Sequence, residues 1–118
     1  LSQPTPIQTQ AWPAALCGMD LVAIAPTGSG KTLAYLLPAV PHILAQGEGV
    51  GPTGLVLVPT RELAQQVNEQ VQGAGGFRQL FGFAAAAIYG GADKADQVRL
   101  LQSEDAPKLV VATPGRLL

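Results

Sequence analysis

The chain has 118 residues, of which 47% are hydrophobic and only 13% charged. It is long enough for one packed domain, and this composition excludes a globally disordered polypeptide. The formal net charge of −1 excludes a domain that holds nucleic acid by bulk positive charge, so any such binding must be local. The single cysteine, Cys17, excludes an internal disulfide framework and fits a reducing, intracellular compartment. Cys17 is expected to be a small core residue, and one cysteine with one histidine, His42, cannot form a zinc site of the usual kind. No apolar run approaches the roughly 20 residues that cross a bilayer, and the start carries no signal-peptide pattern. Both ends read as internal to a longer polypeptide, because Leu1 is not a methionine and Leu118 follows directly on a motif.

Thr5-Pro6-Ile7-Gln8 reads as a helix start, with Thr5 at the N-cap, Pro6 at the first helical position and Gln8 as a capping-box partner. Pro13 should break or kink that helix, leaving a short helical turn that stops at Gly18. Leu21 to Ala25 is a short, wholly apolar run and reads as a buried strand of a parallel sheet. A Gly-rich loop and an apolar helix follow, with Pro38 and Pro41 expected to distort the helix. The stretch from Gly47 to Gly54 reads as a surface loop. Leu55 to Val58 reads as a second buried strand. Thr60 is placed to cap the next helix, whose Leu63, Ala64, Val67 and Val71 share one face. The segment Phe83 to Tyr89 reads as a strand despite its alanine run, Asp93 to Leu101 as a helix and Leu109 to Ala112 as the last strand. Thr113-Pro114 opens another helix. Strands alternating with helices predict an α/β fold built on a parallel sheet.

Ala25-Pro26-Thr27-Gly28-Ser29-Gly30-Lys31-Thr32 has phosphate-loop spacing and lies between the apolar run and a helix. Glycines at 28 and 30 let successive backbone N–H groups converge on one anion, and a helix N-terminus adds partial positive charge. Lys31 supplies a point charge to the β- and γ-phosphates, and the Thr32 hydroxyl is a ligand for Mg²⁺. By itself this pattern specifies a nucleoside triphosphate and not a reaction.

Further elements narrow the choice. Pro4 to Gln8, Ala25 to Thr32, Pro59-Thr60-Arg61-Glu62-Leu63, Gly90-Gly91 and Thr113-Pro114-Gly115-Arg116 occur in the order found in DEAD-box RNA helicases. The chain resembles that family over essentially its whole length, with these segments similar to the Q motif (1–8), motif I (25–32), motif Ia (59–63), the GG element (90–91) and motif Ib (113–116). Gln8 carries an amide able to pair with the N6 and N7 edge of adenine, or able simply to close a capping box on Thr5. Arg61, directly after a strand, suits a phosphodiester oxygen, or pairs with its neighbour Glu62. Gly90 and Gly91 offer close backbone approach to a phosphate, or a plain turn. The resemblance implies RNA-backbone contacts from Pro59, Thr60, Arg61, Gly90, Gly91, Thr113, Pro114, Gly115 and Arg116. Contacts of this kind position a strand without reading its sequence.

What the resemblance further implies is a partial first RecA-like domain of a P-loop NTPase, truncated before the motif II strand. ATP and Mg²⁺ would be its cofactors, and RNA and a second helicase domain its partners. Glu104-Asp105 has the wrong context for the acidic motif II. Two other readings stay open from the residues alone: a DNA helicase of the same superfamily, and a catalytically dead RNA-binding scaffold derived from a helicase.

Overall fold

The computed structural model describes residues 3–26, 28, 30–46, 51–72, 82–90, 94–102 and 106–117. They form two compact units, one ending at Gly47 and one beginning at Glu48.

The first unit holds two helices, α1 (Pro6–Leu16) and α2 (Lys31–Ala45). Helix α1 runs through Pro13 without interruption, contrary to the expected break. Pro13 lies in the last turn, where the ring removes one N–H and leaves the rest of the helical ladder intact. The helix stops where expected, at Gly18 with φ +80°. Helix α2 likewise continues through Pro38 and Pro41 and buries Ala34, Leu36, Val40 and Ile43. Each such Leu, Ile or Val side chain taken fully out of water contributes about 1.5–3 kcal/mol. Two bonds tie α1 to α2: Trp12 Nε1 donates to Leu33 O at 3.3 Å, and a His42 ring nitrogen lies 2.9 Å from Ala15 O.

Two further sequence expectations fail in this unit. Leu21 to Ala25 forms no ladder, and Val22 and Ile24 are 90% and 93% exposed. The cause is the lack of a strand beside it among the described residues, since an extended segment is held only by a neighbour's N–H and C=O groups. Cys17 is exposed, not in the core. It is the C-cap of α1, where the chain turns out of the helix and away from the packed face.

The second unit is a three-stranded parallel sheet of order β1-β3-β2, made of β1 (Gly54–Leu57), β2 (Ala85–Ile88) and β3 (Leu109–Ala112). Its helices are α3 (Arg61–Gln72), α4 (Lys94–Gln102) and the short α5 (Pro114–Leu117). The central strand β3 is buried at every position, as a strand paired on both sides should be. Leu55 aligns with Val110 and Leu57 with Ala112, while Ala86 and Ile88 align with the same two residues from the other side. Ile88, Val110 and Ala112 form a core cluster on which Leu101 of α4 packs. Helix α3 packs against β2 and β3 and buries Ala64, Val67 and Val71, with Leu63 left exposed. The expectation that β1 is buried is corrected: Leu55 and Leu57 are more than half exposed. In this unit β1 is an edge strand and α3 covers the other strands, so alternate side chains of β1 face solvent.

Candidate functional site

The phosphate loop belongs to the first unit. Gly28 and Gly30 both lie in the left-handed region, at φ +82° and +88°, which a residue with a Cβ enters at a cost. Gly30 is also the N-cap of α2. A Cβ there would lie 2.6 Å from Gln8 Nε2 and 2.9 Å from Thr5 Oγ1, so this position excludes side chains on two grounds. Lys31 and Thr32 form the first turn of the 15-residue helix α2. Lys31 is exposed and Thr32 half-buried, at an end where backbone N–H groups have no intrahelical partner. Ala25 and Pro26 lead into the loop; Thr27 and Ser29 lie outside the described residues.

Gln8 is 1% exposed and braces this loop. Its Oε1 accepts from Thr5 N at 3.0 Å, and its Nε2 donates to Gly30 O at 3.1 Å. The Gln8 backbone N–H approaches Thr5 Oγ1 in the reciprocal sense, yet that oxygen stays buried without a hydrogen-bond partner. Gln8 therefore closes the N-terminus of α1 and, with the same amide, grips Gly30, the loop residue that caps α2. One N–H and one lone pair of that amide remain for a further partner. Tyr35, one turn along α2, was not singled out by sequence reasoning. Burial pushes its phenol above the ordinary tyrosine range, and a side-chain hydrogen bond with Thr32 pulls the other way. A cavity of about 710 Å³ also lies in this unit, with Lys31 on its wall and Ile7, Ala11, Leu21 and Pro38 among its lining. Lys31, Tyr35 and His42 are the polar side chains in its otherwise apolar lining.

In the second unit, the remaining predicted residues gather at the carboxyl ends of the three parallel strands, where ligands of open α/β sheets bind. Val58 N donates to Ala112 O and Thr113 N to Ile88 O, each at 3.0 Å. These bonds hold the ends of β1 and β2 to the end of β3. Pro59, Arg61, Glu62, Gly90, Thr113, Pro114 and Gly115 line one open cleft of about 540 Å³. Thr60 Oγ1 accepts from Leu63 N at 3.2 Å and so caps α3 as expected. Arg61 starts that helix, and its guanidinium lies 3.8 Å from the Glu62 carboxylate, with both side chains more than half exposed. An exposed pair of that length is weak, so it leaves the guanidinium available to an anion. Gly91 lies outside the described residues; Arg116 falls in α5, and only its backbone is described.

Comparison with known proteins identifies the family. The family described as DEAD/DEAH box helicase matches residues 5–118. The chain belongs to that family. It is 52% identical, over 99% of its length and 20% of the relative's, to DEAD-box ATP-dependent RNA helicase 30 of Arabidopsis thaliana. It is 50% identical, over 99% of its length and 21% of the relative's, to ATP-dependent RNA helicase DBP2 of Mycosarcoma maydis. The crystal structure of the RNA helicase Prp28 of Chaetomium thermophilum bound to ADP is similar at a TM-score of 0.81 and 43% identity. That match covers 98% of this chain and 28% of the other. The chain thus spans about a fifth of the length of these curated relatives. Family membership accounts for the order of the sequence elements and for the parallel α/β fold. No described helix is long and apolar enough to cross a membrane.

Two polar residues near the cleft escaped the sequence reading. Gln65 Nε2 lies 3.4 Å from Tyr89 Oη, and Gln97 Nε2 donates to Tyr89 O at 3.2 Å. A glutamine on a helix reads as solvated, and no local pattern distinguishes one that turns inward.

Proposed function

We propose that this chain is the ATP-binding and RNA-contacting part of the first motor domain of an ATP-dependent RNA helicase. The observation that carries the reading is the cleft at the strand ends. Residues from three separate segments, Pro59 to Glu62, Gly90 and Thr113 to Gly115, line one open surface although no local contact in the sequence joins them. Two of the lining residues are glycines at which an added Cβ would meet nothing within 4 Å. Neither has a positive φ, so the fold itself does not demand glycine there. Glycine there leaves room for close backbone approach of a ligand from outside.

In this reading Gly28 and Gly30 shape the turn that cradles the phosphates, with Ala25, Pro26, Thr27 and Ser29 completing the loop. Lys31 neutralises charge on the β- and γ-phosphates, and the start of α2 adds its partial positive charge. The Thr32 hydroxyl is one ligand for Mg²⁺. No group of three or more His, Cys, Asp or Glu side chains is gathered for a metal among the described residues. The other ligands would come from phosphate, water and acidic residues outside the described ones. The remaining N–H and lone pair of the Gln8 amide match the N7 acceptor and N6 donor edge of adenine. The ADP bound to the Prp28 relative supports an adenine nucleotide.

Arg61, the cap at Thr60 and the backbone at Gly90, Gly91 and Thr113 to Arg116 hold RNA phosphates, with Pro59 and Pro114 shaping the chain between them. Such contacts fix the strand's position without reading bases. In the whole protein, ATP and RNA would close a second domain over these surfaces, bend one strand and open a short duplex. The test is ATP turnover by the whole protein without nucleic acid, with single-stranded RNA and with single-stranded DNA of the same sequence. Stimulation by RNA alone is expected. Equal stimulation by DNA would move the assignment to a DNA helicase, and no turnover would leave an inert scaffold.

A further inference from the structure

We infer that Gln97 is a positioning residue for nucleic-acid binding, acting on the peptide between Tyr89 and Gly90. This rests on the RNA reading of the strand-end cleft.

Gln97 and Gln8 are the two buried polar residues among those described. Gln8 braces the phosphate loop, whereas Gln97 has no role in the reading so far. It sits in the middle of α4, on the helix that packs Leu101 onto the Ile88, Val110 and Ala112 cluster. A core position of this kind is served best by an apolar residue. Gln97 is a poor choice for stability alone, because its Oε1 is buried with no partner among the described residues, and an unmatched buried acceptor costs free energy.

What Gln97 does accomplish is a single directed bond, from Nε2 to Tyr89 O at 3.2 Å. No peptide in the described chain is cis, and in a planar trans peptide C=O and N–H point in opposite directions. With the Tyr89 carbonyl drawn to α4, the N–H of Gly90 is aimed away from α4. Gly90 lines the cleft, so the bond sets the direction of a backbone donor at the place where a phosphate oxygen is proposed to bind. Gln65 of α3 meets the other end of the same residue, at Tyr89 Oη. That contact is long, at 3.4 Å, and adds little. The carbonyl bond is the one that orients the peptide.

The test uses the whole protein carrying Q97M, which keeps an unbranched side chain of similar length and removes the donor. RNA-stimulated ATP turnover is measured against RNA concentration, together with the thermal midpoint. The RNA concentration for half-maximal stimulation should rise about fivefold, the effect of one hydrogen bond. Turnover at saturating RNA should hold, and the thermal midpoint should stay level or rise. Q97E, which sets a carboxylate against the carbonyl, should weaken RNA dependence further. Y89F, which removes only the long hydroxyl contact, should leave it nearly unchanged. A Q97M protein that fails to fold, or that melts lower with unaltered RNA dependence, assigns Gln97 to the core and overturns the inference. Equal weakening by Y89F and Q97M overturns it too, because the ring and not the carbonyl would then be the anchor. If wild-type turnover is indifferent to RNA, the RNA reading of the cleft fails first. Normal RNA dependence in both wild type and Q97M defeats this inference alone.

Discussion

Leu21 to Ala25 and Leu109 to Ala112 are nearly the same kind of sequence: short, apolar, bounded by turn residues and followed by a helix start. Their outcomes are opposite. Leu109 to Ala112 is the central strand of a parallel sheet and is buried throughout, whereas Val22 and Ile24 stand almost fully in solvent. The difference is neighbours. β3 exchanges hydrogen bonds with β1 on one side and β2 on the other; the segment before the phosphate loop has no partner strand among the described residues. A helix closes its own hydrogen bonds and forms wherever its sequence allows. A strand is a property of the ladder, so apolar sequence alone specifies only the capacity for it. Even so, Gly30 at the end of the phosphate loop is held from the helix side. Gln8 grips Gly30 O, and Gly30 begins α2. The two proposed sites are therefore built by different means, one by a capping network and one by converging strand ends.

The largest effect that sharpens this contrast is Lys31→Ala. Loss of the phosphate-facing charge should reduce ATP turnover by the whole protein at least about a hundredfold, with thermal stability unaltered because Lys31 is exposed. Turnover near the wild-type rate would remove Lys31 from the nucleotide site. Next comes Gly30→Ala. Forcing a Cβ into φ +88° beside Gln8 Nε2 should cost about 1–2 kcal/mol and raise KM for ATP. Hydrogen-exchange protection of β1 to β3 should stay as in wild type. If protection is lost across those strands as well, the two units do not hold their shapes independently.

Much of the fold was legible in the sequence. Thr5, Thr60 and Gly18 mark helix boundaries through local backbone chemistry, and the structure places them there. The strand Ala85–Ile88 was readable despite its alanines because Ile88, Tyr89 and the glycines after them set its context. Other features were not legible for physical reasons. Pro13 suggests a break or kink and Pro38 and Pro41 a distortion, yet both helices run on through them. A lone cysteine is usually a core residue, whereas the exposure of Cys17 goes with its place at a helix end. The phosphate loop and the strand-end residues were legible as spacing. The buried amides around them were not: the inward turn of Gln97 depends on where α4 lands, and the grip of Gln8 on Gly30 joins residues 22 positions apart.

The central claim is that separate residues handle nucleotide and nucleic-acid backbone, and Arg61→Ala tests it most directly. ATP turnover of the whole protein is measured across RNA concentration at saturating ATP, and across ATP concentration at saturating RNA. Because Arg61 is about half exposed, the proposed phosphate contact is worth a modest amount. The RNA concentration for half-maximal stimulation should rise about threefold to tenfold, its salt dependence should flatten by about one phosphate's worth, and KM for ATP should not move. A raised KM for ATP with unchanged RNA dependence would contradict the account.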